Sequence, residues 1–245
     1  MAVQPLLDCD IYVGGYDLAS DVNEVSISDE YAELDKTNFA SGGSREYVAG
    51  LHTTTVDVNG FLNTATGQSE PVLRSVQGSV NTLMGWTPNA TANDAAYLLR
   101  VMESKLSKGG KVGELMPISA HFVSNADEGA LTGNLLLPKT SISSNGSATG
   151  YQNGAVSSTQ RLYAGAFVFS VAGSSTPTLT LKVQSDDNGS FTSATDRITF
   201  TDFTAIGSEL QELAGAVTDD YWRVNYALSG TDPVFSAAVI MAIAA

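Results

Sequence analysis

Residues able to do chemistry are few in this 245-residue chain, and they do not fall into a catalytic spacing. His52 and His121 sit in strand-like text with no Cys or His at metal-ligand separation, and both read as structural. Neither a G-x-S-x-G turn nor an H-E-x-x-H pair occurs. VGGYD (Val13–Asp17) and GSATG (Gly146–Gly150) are glycine-bearing, but neither is followed by the Lys-Ser/Thr that would cradle a phosphate. Asp186-Asp187-Asn188-Gly189 is the one acidic cluster resembling a cation loop. The later Glu that would complete a calcium loop is missing, so a hairpin turn is the better reading. Cys9 has no partner for an intrachain disulfide and is expected to be a small, partly buried apolar side chain. Trp86 and Trp222 read as core or interface anchors. No enzymatic activity, metal or cofactor is expected.

Charge narrows the partners. Twelve basic and twenty-six acidic residues give a net charge of −14, a surface that repels nucleic acid. The first sixty residues hold eleven acids against Lys36 and Arg45, −9 of that total. Such acidity keeps loops solvated, and it would also suit a wall past which DNA slides without sticking. With 43% hydrophobic and 16% charged residues the composition is that of a folded protein. The C-terminal FSAAVIMAIAA is well short of the roughly 18 apolar residues of a membrane span. No basic segment followed by an apolar one opens the sequence, so a cytoplasmic, soluble product is expected.

The elements that must position these residues are mostly strands. Asn23–Ser28 alternates, with Val25 and Ile27 on one face, and Leu51–Phe61 is rich in β-branched residues. Asn59-Gly60 fits a turn or a bulge. Pro71–Met84 fits either a strand or a short helix. Asn93–Leu106 carries Tyr97, Leu98, Val101, Met102 and Leu106 at helical spacing, and a principal α-helix is expected there, stopped by Gly109-Gly110. Strands are expected at Met116–Ser124 and Leu131–Pro138. Residues 140–159 are polar, uncharged and rich in Gly, Ser and Asn, as in a linker or extended surface loop. Beyond them Leu162–Val171, Thr178–Gln184, Arg197–Phe203, Tyr221–Leu228 and Phe235–Ile243 read as five strands of a sandwich or barrel. The expected fold is mainly β, in two β-sandwich or barrel-like domains. The first, 1–140, holds the helix near 93–106; 141–160 is the linker or loop; 161–245 is a C-terminal β-sandwich. Thr53–Gly67 echoes Leu179–Asp196, which would fit a duplicated domain.

Asp10–Asn63 is the most informative stretch. Two strand-like runs, Asp21–Ser28 and Val48–Leu62, flank about twenty charged, Gly/Ser-bearing residues, and a loop of that length usually has a function. It holds no pair suited to catalysis, so contact is the expected role. This strand–long loop–strand with GGSREYVAGL (Gly42–Leu51) resembles the tail tube (major tail) proteins of long-tailed, non-contractile bacteriophages. GGKVGELMPISAHF (Gly109–Phe122) and the Arg161–Ile243 text, with RLYAGAFVFSV, LTLKVQSDD, RITFTDF and YWRVNYALSG, extend the resemblance over most of the chain.

The resemblance implies a structural virion protein of the tail, made in the host bacterial cytoplasm. It would form stacked rings of a hollow tube that conducts DNA from capsid to host. It further implies self-association, as a trimeric ring with pseudo-sixfold symmetry before a hexamer. A tape measure protein and a tail terminator would be its other partners, and double-stranded DNA would pass without specific binding. Asp29–Val48 is then the expected subunit or ring contact, with Glu30, Glu33, Asp35, Lys36, Arg45 and Glu46 pairing with charges on a neighbour. A capsid decoration protein or a carbohydrate-binding adhesin β-sandwich are the rival readings. The first needs no long inter-ring loop, and the second predicts an exposed aromatic groove.

Overall fold

In the computed structural model, which describes residues 8–245, period-two alternation organises nearly the whole chain. The first half contains β1 (Asp10–Val13), β2 (Tyr16–Asp17), the long hairpin β3 (Val22–Asp35) and β4 (Tyr47–Phe61), and the helix α1 (Ser69–Val76). It continues with β5 (Thr82–Thr87), β6 (Ala95–Lys108), β7 (Pro117–Ser124) and β8 (Leu131–Ile142). The second half contains two short pieces, β9 (Gly146–Ser147) and β10 (Tyr151–Gln152), then β11 (Arg161–Asp186), β12 (Thr195–Thr199), β13 (Gly207–Ala214) and β14 (Tyr221–Ala244). Hydrogen-bonded neighbours run β12-β11-β14-β8-β6-β5-β1-β2, and β7 joins the β3–β4 hairpin to β6. The protein is mainly β with one helix, as its sequence indicates.

The helix is not where helical spacing placed it. Asn93–Leu106 is almost entirely strand β6, and α1 falls in the stretch that fitted strand or helix. β6 is buried on both faces. Leu99 and Val101 enter one apolar cluster with Ile11, Val58, Met84 and Phe122. Ala96 and Leu98 enter another with Tyr12, Leu135, Phe167 and Ile240. A strand filling two cores carries consecutive apolar residues, and such a run mimics a helical stripe. Asn93, at the start of this stretch, takes a φ of 68° and its N–H donates to Leu135 O at 2.7 Å. Leucine, tyrosine and methionine do not hold β6 in helix because pairing with β5, β7 and β8 overrides propensity.

The second cluster spans the two halves of the chain, since Tyr12 and Leu98 meet Phe167 and Ile240 there. Two glycines permit the approach. A Cβ on Gly85 would lie 2.8 Å from Ile240 Cδ1, and one on Gly165 would lie 2.4 Å from Leu98 Cδ1. A third cluster lies on the far side of β11 and β14. β11 supplies Leu162, Ala164, Ala166 and Val168 before its midpoint, and Leu179, Leu181 and Val183 after it. Both segments reach one core because the β11–β14 pair folds over at Ser170–Thr178. There the register shifts, and Ser175, Thr176 and Asp232 take positive φ. The two strands expected on each side of that corner are therefore single continuous elements.

The stretch from 141 to 160 lies against the sheet as a strap. β9 and β10 pair with β14, Val156 and Val217 pair in an isolated bridge, and Trp222 Nε1 donates to Gly154 O at 2.7 Å. Asn59-Gly60 lies inside β4 beside a register shift, so it marks a bulge, while Asn188-Gly189 lies in the loop between β11 and β12.

Candidate functional site

β3 and β4 pair from Val22↔Gly60 to Asp35↔Tyr47, whereas β4 meets β7 only from Thr55 onward. From Tyr47 to Thr54 the hairpin therefore has β3 as its only strand partner. It extends about 25 Å past the body at roughly 3.3 Å per residue. Pairing uses up most of the expected loop: only Lys36–Glu46 lies outside strand. The alternating text Val25, Ile27, Asp29, Tyr31 carries β3 well past Ser28, and β4 has the β-branched residues to match it.

Directly opposed residues share a face of a β ribbon, and the register therefore sorts the side chains. One face runs Val25/Val58, Ile27/Val56, Asp29/Thr54, Tyr31/His52 and, past a bulge on β4, Glu33/Ala49 and Asp35/Tyr47. Val56 and Val58 are core residues, and Val25 and Ile27 pack against them. This face thus begins as the wall of a core and continues outward uncovered, as Tyr31 and Tyr47 among carboxylates. Tyr31, Leu34 and Val48 are exposed, and Tyr31 stacks on His52 with ring centroids 4.6 Å apart. A shallow cavity of about 270 Å³ opens here between Tyr31, Ala32, Glu33, Tyr47, Val48 and Ala49. Phe39 at the tip is fully exposed.

The opposite face carries Glu30 across from Thr53 and, past the bulge, Leu34 across from Val48, so carboxylates lie on both faces of the arm. Asp35 accepts the Thr37 N–H at 2.8 Å, and hydrogen bonds from Thr37 hold its carboxyl below the ordinary aspartate range. Lys36 and Glu46 close the mouth of the turn as an ion pair at 3.5 Å, with Lys36 N donating to Glu46 O at 2.9 Å. Arg45 Nη1 donates to Tyr47 Oη at 3.4 Å and has no ion-pair partner among the described residues. All six residues expected at a contact are thus brought to one arm. Lys36 and Glu46 are paired within it, while Glu30, Glu33, Asp35 and Arg45 remain open to an outside group. Sequence reasoning singled out the charges and missed the exposed apolar side chains beside them, Tyr31, Leu34, Tyr47 and Val48.

Other reactive groups are engaged in structural contacts. His121 Nδ1 lies 2.7 Å from Asp57 Oδ1, and His52 Nε2 lies 3.5 Å from Asp29 Oδ1. Cys9 Sγ accepts from Trp86 Nε1 at 3.3 Å, and partial burial pushes its thiol up. Trp86 in turn stacks on Tyr97, and Trp222 is fully buried. The Asp186–Gly189 text forms the hairpin connection from β11 to β12, with Asp186 accepting from the Asn188 and Ser193 N–H groups. A cavity of about 380 Å³ is walled by Arg100, Glu128, Arg161, Tyr163 and Glu212. Both guanidiniums are already on carboxylates, Arg100 on Glu128 at 2.5 Å and Arg161 on Glu212 at 2.8 Å. Glu103 on β6 is 1% exposed and neither carboxylate oxygen finds a partner. Burial raises its pKa to about 7, with Lys108 acting against the shift.

No protein-family model and no curated protein matches the chain. Among solved structures, a chain from the virion of a native gene transfer agent particle is similar at a TM-score of 0.42 and 17% identity. That match covers 51% of this chain and 95% of the other. A chain from the tail of an empty gene transfer agent particle, with C6 symmetry, gives 0.39 and 16% over 51% and 96%. The SPP1 Dit protein, titled a paradigm of the hub adsorption apparatus in phages infecting Gram-positive hosts, gives 0.36 and 10% over 96% and 98%. At these TM-scores the likeness does not assign a function.

Proposed function

We propose that this chain is a structural subunit of a phage-type tail, assembling with copies of itself into stacked rings of a hollow tube through which DNA passes. The observation that carries the proposal is the exposed apolar side chains of the arm, Tyr31 and Tyr47 on the continuation of a core face and Leu34 with Val48 on the other. Exposed apolar surface arranged in this way marks a contact surface. The arm also presents open backbone edges, because β3 pairs with β4 alone. A neighbour that lies against the arm would satisfy both. β3 carries Glu30, Glu33 and Asp35 along its exposed half, so two copies of β3 repel each other. The partner surface is therefore a different one, and the contact is heterologous, as in rings and filaments. The halves 1–140 and 161–245 would each contribute to the ring wall, three copies to a pseudo-sixfold ring before six to a true hexamer. Tape measure and terminator proteins would set and close the tube.

The acidic excess supports the conduit role. A Lys or Arg exposed in the lumen would recur at every ring and grip phosphate at each step. Eight ion pairs among the described residues engage most of this chain's Lys and Arg side chains on carboxylates, which leaves few free to do so. Negative-stain microscopy of the purified protein tests the reading. Hollow tubes of stacked rings are expected; capsid-bound trimers or permanently unassembled monomers would overturn it in favour of a decoration protein or an adhesin.

A further inference from the structure

The sheet that sends the arm out at one end carries a second exposed apolar cluster at the other. β4 and β7 run antiparallel, with Thr55↔Val123 at the arm end and Phe61↔Pro117 at the opposite end, and β6 follows with Lys108↔Ile118. The connection between β6 and β7 is therefore at the end away from the arm. It presents Val112 at 107% exposure and Leu115 at 74%, with Met116 and Phe61 exposed beside them. Leu62 N donates to Met116 O at 2.8 Å, which fixes the returning end of this loop to the base of the hairpin.

Charge separates the two ends. Three of the chain's six lysines, Lys105, Lys108 and Lys111, lie in or next to this loop, against Glu114. Lys108 is held by Glu70 at 2.5 Å, whereas Lys105 and Lys111 make no ion pair among the described residues. The arm from Asp29 to Glu46 holds five acids and two bases. In a chain of net charge −14, a locally basic apolar loop is the exception, and the most acidic apolar element lies at the opposite end of the same sheet.

We propose that the 105–116 loop is the acceptor for the arm of a second copy of this chain. This deepens the self-assembly reading above and rests on it. Leu34 and Val48, opposed on one face of the arm, would cover Val112, Leu115 and Met116, while Lys105 and Lys111 reach the Glu30 carboxylate on that same face. Because donor and acceptor lie at opposite ends of one sheet, each copy can give an arm and receive one, and the series does not close on two members.

Two complementary variants test this. Leu34→Asp with Val48→Asp disables the arm and leaves the loop, while Val112→Asp with Leu115→Asp disables the loop and leaves the arm. All four positions are exposed, and circular dichroism with an unchanged unfolding midpoint verifies that both variants fold. Each alone is expected to stay unpolymerised by analytical ultracentrifugation. Mixed in equal amounts, they should associate through the one intact junction and stop there. A loop variant that polymerises like the native chain, or a mixture that never associates, would overturn the acceptor assignment. Tubes formed by the native protein would leave the self-assembly reading standing in either case, and failure of the native protein to assemble would remove that reading itself.

Discussion

The β3–β4 and β11–β14 pairs are both long antiparallel ribbons, and their fates are opposite. β11 and β14 fold over at Ser170–Thr178, so that both segments of the ribbon cover a single core, with Val183 and Trp222 buried on one side of the corner and Val168 and Val239 on the other. β3 and β4 keep straight on past Thr54, and their core-side face runs out uncovered. The difference lies in what each ribbon has to pack against. Glycine, small residues and positive φ let the first bend back on itself, whereas the second meets only solvent within one chain. Apolar side chains that the fold itself leaves open call for a partner, and truncations in the two ribbons should read out in different measurements.

The largest contrast is in monomer stability. Phe167→Ala removes a fully buried ring shared between the two halves and is expected to cost about 3–5 kcal/mol in urea unfolding. Leu34→Ala, on the arm, should change the same midpoint by no more than about 0.5 kcal/mol. A large loss at Leu34 would mean that the arm packs against the body.

Glu103 supplies the next effect, and its sign is opposite to that of a paired carboxylate. Its pKa is raised from 4.5 to about 7 in the folded chain, so between those values the native state holds a proton that the unfolded state has lost. Stability from this group is present below pH 4.5 and falls as pH rises through 7, by about 3 kcal/mol at roughly 1.36 kcal/mol per pKa unit. Glu103→Gln should flatten that decline between pH 5 and 8 in urea titrations; an unchanged slope would show that Glu103 is ionised and solvated. A smaller effect comes from the base of the arm. Asp21 accepts from Ser69 N at 2.9 Å and Asn63 Nδ2 at 3.0 Å, serving the start of α1, where Gln68 makes no side-chain cap. Asp21→Ala should cost about 1–2 kcal/mol in thermal or urea unfolding, and Asp21→Asn less.

Much of the fold was legible because alternation is a local signal. Val25 with Ile27, the β-branched run before Gly60, and the strands at Pro117–Ser124 and Leu131–Ile142 all read correctly from sequence. Three features did not. β6 looked helical because it faces two cores, a fact about its neighbours that its own residues do not record. β13, with Glu209 and Glu212 in a short polar run, forms by pairing with β11 across a long separation, and its composition gives no strand signal. The arm looked like a loop because its charges fall on both faces and interrupt the apolar residues between them. The contact residues named from charge lie on the arm, and the side chains argued here to meet a partner are Leu34 and Val48, with Tyr31 on the other face.

The central claim is that the arm's exposed apolar side chains, Leu34 and Val48 above all, form an assembly surface and are not part of the monomer's core. Sedimentation velocity on the native chain and on Leu34→Asp/Val48→Asp, at equal concentration and with matched unfolding midpoints, tests it most directly. Polymers from the native chain and a folded, monomer-sized species from the variant are expected. Equal polymers from both, or a variant that loses its fold along with its assembly, would contradict it.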